Sequence, residues 1–448
     1  MDPTSTSSRP LAVIVGLGRT GLSVAKHLVE RGWRVSGTDT REAPPELTAL
    51  RALTPEARLA LGGLDPALLD GADCVVVSPG VPLTGAFFAR ARAMGLSVVG
   101  DIELFARATQ RRVVGVTGTN GKSTVTTLVA RMAARAGLAV RAGGNLGPPA
   151  LEILDDASTE LYVLELSSYQ LETTDSLDLA AATVLNVTPD HLDRYADIDA
   201  YAAAKARIFA RCATAVVNLD DPLVVGMPRP GQSRLTFSLR AEVGADYSLV
   251  KEPQGWALAR RGRTLLRLAE LRIGGLHNAA NALAALALGE ALGLPVPAML
   301  AELREFPGLP HRAEWVADVH GVRYINDSKG TNVGATLAAV AGFEGPLLVI
   351  AGGDGKQQDF SPLRAAFAGK VRHVALIGRD AAAIARVLDG VCTITRCSSL
   401  AEAVQDCANR AATGETVLLS PACASLDMFK DYAHRGQMFA AAVKELAA

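Results

Sequence analysis

The stretch Val113-Val-Gly-Val-Thr-Gly-Thr-Asn-Gly-Lys-Ser-Thr124 constrains this chain more than any other. Val113 to Val116 is a short apolar run of the kind a buried parallel strand shows, and Thr117 to Gly121 carries two glycines and no bulky side chain. Lys122-Ser-Thr124 then opens an amphipathic segment that Gly137 ends as a C-cap. Strand, glycine loop and helix in this order make a phosphate cradle. Gly118 and Gly121 free backbone N–H groups to close on oxygen atoms, with Thr119 and Asn120 inside the loop. Lys122 adds a point charge, and the Ser123 or Thr124 hydroxyl can ligate Mg²⁺. Gly118 precedes Gly121 by three positions, not the five of the standard loop. Gly-Lys-Ser-Thr at such a junction is still rare by accident, so a nucleoside triphosphate is the expected ligand.

A second glycine motif lies near the start. Leu11 to Val15 reads as a strand, Gly16-Leu-Gly-Arg-Thr-Gly21 opens a helix, and a second strand ends in Thr38-Asp-Thr-Arg41. That is the G-x-G-x-x-G fingerprint with an acid about 20 residues on. The next domain begins near Gly100, which leaves four or five strands and room for one nucleotide rather than two. Three readings stay open: a nucleotide-diphosphate site with Asp39, Thr40 and Arg41 near base or ribose, an NAD site, and a structural remnant. Pro79-Gly80-Val-Pro82 is a turn that can close over the same ligand.

Behind the phosphate loop, Leu138 to Arg141 reads as a strand with a loop at Gly143 to Gly147, and Leu161 to Ser168 as an apolar strand broken by Glu165. A carboxylate there either organises Mg²⁺ or faces solvent. Ala181 to Val187 is a further strand, leading to Asp190, His191 and Asp193 where ligands of open α/β sheets bind. In the expected helix Asp197 to Arg211, Lys205 shares a stripe with Tyr201, Ile208 and Cys212. It either snorkels or sits buried beside phosphate or metal with a reactive amine. Leu235 to Leu268 suggests a small β-rich insert, and Asn278 and Asn281 either cap a helix or reach a purine edge. Beyond a Pro/Gly linker ending in Arg312, a hairpin and four apolar strands alternate with helices in a second Rossmann-like unit. Lys329, Lys356 and Ser425 fall on separate loops at one edge of that sheet, which suits a small anion.

Length and composition set the frame. At about 150 residues per domain, 448 residues hold three. A formal net charge of −1 gives no reason to expect nucleic acid or an anionic membrane. Six cysteines without C-x-x-C spacing suit a reducing compartment. No basic and apolar leader opens the chain, and no apolar run reaches about 18 residues, so a cytoplasmic protein is expected. The fold class that follows is α/β in three domains: Rossmann-like (1–100), P-loop mononucleotide-binding (101–308) and Rossmann-like (309–448).

Thr117 to Thr124, Glu165-Leu-Ser-Ser-Tyr-Gln-Leu-Glu172, Asn186 to Asp193, His277-Asn-Ala-Ala-Asn281, Pro310-His-Arg312, Asn326-Asp-Ser-Lys329 and Leu419 to Ser425 together resemble the Mur ligases over essentially the whole chain. Asp327-Ser-Lys-Gly-Thr-Asn332 and Ser420 to Asp427 are similar to the D-glutamate-adding branch. The resemblance implies ATP-dependent amide-bond formation between UDP-N-acetylmuramoyl-L-alanine and D-glutamate through an acyl phosphate. It implies that Lys122 stabilises the transferred phosphoryl group, that Ser123 and Glu165 hold one Mg²⁺, and that His191 with a carbamylated Lys205 holds a second. Asn278 or Asn281, Arg312 and Asp327 would hold the rest of ATP. Leu17, Arg19, Thr20, Asp39, Thr40, Arg41, Gly80 and Asn145 would hold the UDP-sugar. Lys329, Thr331, Lys356, Ser425, Leu426 and Tyr432 would hold D-glutamate. Arg19 and Tyr432 depart from the family's usual residues. A monomer is expected, with the last domain swinging in over ATP.

Overall fold

In the computed structural model, which describes residues 9–191, 193–343 and 345–446, the apolar runs gather into three separate sheets. The first comprises β1 (Leu11–Val15), β2 (Arg34–Asp39), β3 (Leu59–Leu61), β4 (Cys74–Val77) and β5 (Ser97–Val99), all parallel, in the order β3-β2-β1-β4-β5. Chain order reverses between β1 and β4, and a crevice opens there at their C-terminal ends, where open α/β sheets take ligands. The helix Arg19–Glu30 starts directly behind Gly18 and points its N-terminus into that crevice's rim. Gly16 is held at φ 91°, and a Cβ on it would press on Ser78, whose hydroxyl donates to the Gly16 carbonyl at 2.8 Å.

The second sheet has nine strands: β6 (Arg112–Thr117), β7 (Val140–Gly144), β8 (Leu161–Glu165), β9 (Leu179–Val184), β10 (Cys212–Asn218), β11 (Ser233–Ser238), β12 (Tyr247–Glu252), β13 (Gly255–Arg260) and β14 (Arg263–Arg267). Their order is β14-β13-β12-β11-β10-β9-β6-β8-β7. β6 lies between β8 and β9, so the phosphate loop emerges with the end of each neighbour beside it. Val113, Val114 and Val116 are fully buried, as a strand covered on both faces requires. The helix Lys122–Arg135 packs on the Ala/Leu-rich helix Leu276–Ala291.

Three expectations shift here. The 235–268 segment is no separate insert, because β11 pairs parallel with β10 and β12 to β14 carry the same sheet on as an antiparallel meander. β7 begins two residues later than expected and takes Gly143 and Gly144 into the strand; Gly144 N–H bonds the Pro148 carbonyl at 2.8 Å and closes the loop there. The helix expected to run to Arg211 ends at Ala206 and tightens into a 3₁₀ turn, Arg207–Phe209, because Arg207 turns back to the carbonyl of Leu171 at 2.7 Å.

The third sheet comprises β15 (Glu314–Val319), β16 (Val322–Asn326), β17 (Leu347–Gly352), β18 (Val371–Ile377), β19 (Thr393–Arg396) and β20 (Thr416–Leu419), in the order β15-β16-β20-β17-β18-β19. The first pair is an antiparallel hairpin and the rest is parallel. β20 returns between β16 and β17, which brings the loops after all three strands to one edge. No helix among the described residues is long and apolar enough to cross a membrane.

Candidate active site

The loop behind β6 carries the conformations its glycines were chosen for: φ is 144° at Gly118 and 85° at Gly121. A side chain at Gly121 would also run into the Asn281 amide, so helix Leu276–Ala291 is pressed against the loop. Lys122 is folded over its own turn, donating to the Gly118 carbonyl at 2.9 Å and the Thr119 carbonyl at 3.0 Å. Desolvation, and then the nearby Arg312 guanidinium, push its ammonium below the usual lysine range, against the pull of Glu165 and Asp190.

Ser123 is the centre of a hydrogen-bonded chain across the domains. Its hydroxyl donates to Glu165 Oε2 at 2.6 Å and accepts from Arg312 Nη2 at 2.7 Å, and Asn145 Nδ2 donates to Glu165 Oε1 at 2.6 Å. Glu165 is 3 % exposed, so the solvent-facing alternative does not hold. Asn145 at the same time lines the cavity of the first domain. Arg312 comes from the last domain, and Asn332 of that domain reaches Asp190 Oδ2 at 3.1 Å.

Lys205 does not snorkel. It is 1 % exposed, donates to the Gly118 carbonyl at 3.0 Å, and lies 4.5 Å from the centre of the Tyr201 ring. Burial, with the Lys122 charge adding to it, lowers its ammonium far below the usual range. Two lysines thus meet at one carbonyl oxygen. His191 stands edge-on to Tyr169 (5.1 Å) and to Tyr201 (6.1 Å) and takes a left-handed backbone, φ 57°. Burial lowers its imidazole; Asp190 opposes this, while the charges of Lys356, Lys122 and Lys205 reinforce it.

Two cavities flank this centre. One of about 230 Å³ is walled by the phosphate loop (Asn120, Gly121, Thr124), by Asn278 and Asn281, and by Arg312, Asp327 and Lys329 from the last domain. Asn278 Nδ2 donates to the Gly274 carbonyl at 2.8 Å, which ties it to the loop ahead of the helix and caps none of the helix's N–H groups, and Asn281 Nδ2 is tied to Asn278 Oδ1 at 3.2 Å. The other cavity, about 630 Å³, is walled by Arg19, Thr20, Asp39, Thr40, Arg41 and Gly80 on the first domain and by Asn145 on the second. Leu17 is not in that wall: its side chain is in the core, 1 % exposed, and only its N–H takes part, donating to Asp39 Oδ2 at 2.7 Å. Asp39 is also gripped by Arg41 through Nε (2.8 Å) and Nη2 (2.7 Å). Burial alone would raise the Asp39 carboxyl, but Arg41 and the N–H of Leu17 hold it at about 2. Its oxygens are therefore committed to aiming Arg41, whereas a dinucleotide fold uses this acid for ribose hydroxyls. Arg19 reaches across to Glu152 at 3.1 Å.

On the last domain, Lys329 Nζ sits 3.7 Å above the Tyr432 ring, and burial, then Arg312, bring its ammonium down to about 8. Tyr432 thus meets Lys329 with its face, which a phenylalanine can also do. Lys356 takes φ 51° and is close enough to act on His191 and Lys329. Ser425 is buried and Leu426 is 71 % exposed. Thr331, Lys356, Ser425, Leu426 and Tyr432 lie outside the walls of both cavities, whereas Lys329 shares the one beside the phosphate loop.

Arg435 went unnoticed in the sequence. It is 1 % exposed and ties the loops after β16 and β20 together, donating to Ser328 Oγ (3.0 Å), Ser328 O (2.8 Å) and Cys423 O (3.1 Å). Its signal was available: it shares the buried stripe of helix Tyr432–Leu446 with Phe439 and Val443, the same irregularity that marks Lys205. Asn332, which spans two domains, carries no such mark.

No group of three or more His, Cys, Asp or Glu residues placed to hold a metal occurs among the described residues. The available donors are a serine hydroxyl and a carboxylate beside the phosphate loop. That set suits Mg²⁺, which takes one or two protein oxygens and draws the rest from phosphate and water.

Family models of known proteins match in three consecutive pieces: "Mur ligase MurD-like, N-terminal domain" at residues 11–100, "Mur ligase middle domain" at 116–289 and "Mur ligase, glutamate ligase domain" at 311–423. The UDP-N-acetylmuramoylalanine–D-glutamate ligase of Nitrosococcus oceani is 51 % identical over 447 residues, which is 99 % of each chain. Its namesake from Methylococcus capsulatus is 49 % identical over 440 residues, 98 % of this chain and 95 % of the relative. Among solved structures, a UDP-N-acetylmuramate-alanine ligase of Thermotoga maritima superposes with a TM-score of 0.62 at 19 % identity, covering 98 % of this chain and all of its own. At that identity the likeness speaks for the fold alone.

Proposed function

The chain belongs to the Mur ligase family, and we propose on that footing that its three domains carry out the reaction its relatives are named for. It is an ATP-dependent ligase of peptidoglycan precursor synthesis that joins D-glutamate to UDP-N-acetylmuramoyl-L-alanine, releasing ADP and phosphate. ATP and Mg²⁺ are the family's cofactors. The observation that carries the residue-level reading is the chain Arg312, Ser123, Glu165, Asn145, which runs from the last domain past the phosphate loop to a residue in the wall of the first domain's cavity.

Domain 101–308 holds ATP, with the triphosphate on Gly118 to Thr124 and the nucleoside in the cavity of Asn278, Asn281, Arg312 and Asp327. Domain 1–100 holds the UDP end through Arg19, Thr20, Thr40, Arg41 and Gly80, and Asn145 meets the acyl end near Glu165. Domain 309–448 presents D-glutamate to Lys329, Thr331, Lys356, Ser425, Leu426 and Tyr432, where lysine ammoniums suit its two carboxylates. The alanyl carboxylate attacks the γ-phosphorus of ATP and ADP leaves. The D-glutamate amine then adds to the acyl phosphate, the tetrahedral adduct expels phosphate, and the amine proton is lost. Lys122 swings from the Gly118 and Thr119 carbonyls to the phosphoryl oxygens, where its charge matches what develops. Ser123 with Glu165, and His191 with Lys205, are the positions for two Mg²⁺ ions. When bound, they neutralise the crowded phosphate and carboxylate oxygens. A free Lys205 ammonium would repel the second ion; carbamylation by CO₂ turns it into an oxygen donor in a place no solvent reaches. Closure of the last domain keeps water from the acyl phosphate. The working unit is a monomer.

A panel of amino acids tests the assignment. With ATP, Mg²⁺ and UDP-N-acetylmuramoyl-L-alanine, phosphate release is expected with D-glutamate and at least about 100-fold slower with L-glutamate, D-alanine or diaminopimelate. Release with another amino acid and none with D-glutamate would remove the assignment.

A further inference from the structure

One wall residue of the 630 Å³ cavity has no part in the chemistry above. Asp101 opens the helix Asp101–Ala108 just behind β5, at the seam of the first two domains, and is 1 % exposed. Its Oδ2 accepts from Gln170 Nε2 at 3.4 Å, while Oδ1 has no hydrogen-bond partner. Gln170 cannot turn to help. Its Oε1 accepts the Ser167 N–H at 3.1 Å in the capping box of helix Ser168–Glu172, which commits Nε2 to Asp101. Burial pushes the Asp101 carboxyl up to about 6; Gln170 and the nearby N–H groups of Asp101 and Ile102 oppose this, the N–H groups without closing a regular hydrogen bond on Oδ1, and no cation is among the groups acting on it. A buried carboxylate oxygen without a donor, on a residue of the cavity wall, calls for one from the ligand.

The ligand's anatomy says which. On the reading above, a nucleotide sugar runs from the crevice at Gly16 to Arg41, on the first domain, to Asn145 and Glu165 on the second. Whatever crosses the seam between them is the sugar, which carries hydroxyl groups and an acetamido N–H. We propose that Asp101 is a specificity residue for the sugar ring, with Oδ1 accepting a hydrogen bond from a hydroxyl or the acetamido N–H while Gln170 holds the carboxylate in place.

The test compares UDP with UDP-N-acetylmuramoyl-L-alanine as ligands in titration calorimetry, on the full-length wild-type chain and on Asp101→Asn. The substitution keeps volume. Because Gln170 presents a fixed donor, the new amide must turn its oxygen to Gln170 and place NH₂ where Oδ1 stood, a donor that clashes with the acetamido N–H and meets a hydroxyl only if that hydroxyl turns from donating to accepting. The expected result is an affinity for the sugar nucleotide lower by about tenfold or more, with UDP changed by less than about twofold. The KM for the sugar nucleotide should rise in step while the KM values for ATP and D-glutamate stay put. Equal loss for both ligands, or no loss for either, overturns the proposal. Asp101→Ala, followed by its thermal midpoint, should give the same ligand-selective pattern and guards against a folding defect in the first variant. A wild-type chain that binds neither ligand would instead overturn the nucleotide-sugar reading of the cavity.

Discussion

Lys122→Ala is expected to reduce phosphate release by about 10³-fold or more while leaving the affinity for UDP-N-acetylmuramoyl-L-alanine within about twofold of wild type. The asymmetry follows from where the lysine sits. Its Nζ bonds only carbonyls of its own loop, Gly118 and Thr119, and it takes no part in the wall of the first-domain cavity. Removing it therefore costs the growing charge of the transferring phosphoryl group its neutralising partner and costs the sugar nucleotide nothing. The loop should survive, because its shape comes from Gly118, Gly121 and the mutual bonds of Asn120 with Asn186 (2.8 and 3.1 Å). Single-turnover measurements with both substrates saturating separate the two effects. A variant that loses sugar-nucleotide binding as well would mean that Lys122 spans both sites.

Lys205→Ala should fall by about 10²-fold or more in kcat and recover part of that with millimolar formate or acetate, while Lys205→Arg should fall equally and recover nothing. A buried ammonium with one hydrogen bond, beside a second lysine at the same carbonyl, is an unfavourable arrangement. On the proposed reading a carbamate on the amine relieves it, and the alanine variant leaves room for a small carboxylate to stand in. The arginine keeps the cation and fills the space. Near-normal activity of the alanine variant would sink the carbamate, and rescue of the arginine variant would show that the carboxylate acts elsewhere.

Much of this site was legible before any coordinates, and the reason is local. A phosphate loop, a G-x-G-x-x-G turn and strand ends with polar residues each need particular residue types at fixed spacing, so Gly118, Lys122, Ser123, Glu165 and Asp39 declare themselves. Lys205 was visible as a cation in an apolar stripe, though only packing decided that it is buried rather than snorkelling. Arg435 carried the same signal and was overlooked. What no spacing encodes is a partner from another domain. That Ser123 is met by Arg312 depends on how separate sheets are docked, while Asn145 facing both a cavity and Glu165, and Asp101 leaning on Gln170, depend on packing within the middle domain. Strand pairing was lost in the same way: nothing between residues 235 and 268 distinguishes a free-standing insert from an extension of the sheet, since the hydrogen bonds to β10 are made by backbone.

The central claim is that a triphosphate on the middle domain activates the acid held by the first domain before the amine from the third attacks. Oxygen-18 placed in the alanyl carboxylate of UDP-N-acetylmuramoyl-L-alanine tests it most directly, by mass spectrometry of the phosphate released with ATP and D-glutamate. One labelled oxygen per phosphate is the expected result, because the carboxylate oxygen that attacked phosphorus leaves with it. Phosphate free of label, with amide still formed, would contradict the claim.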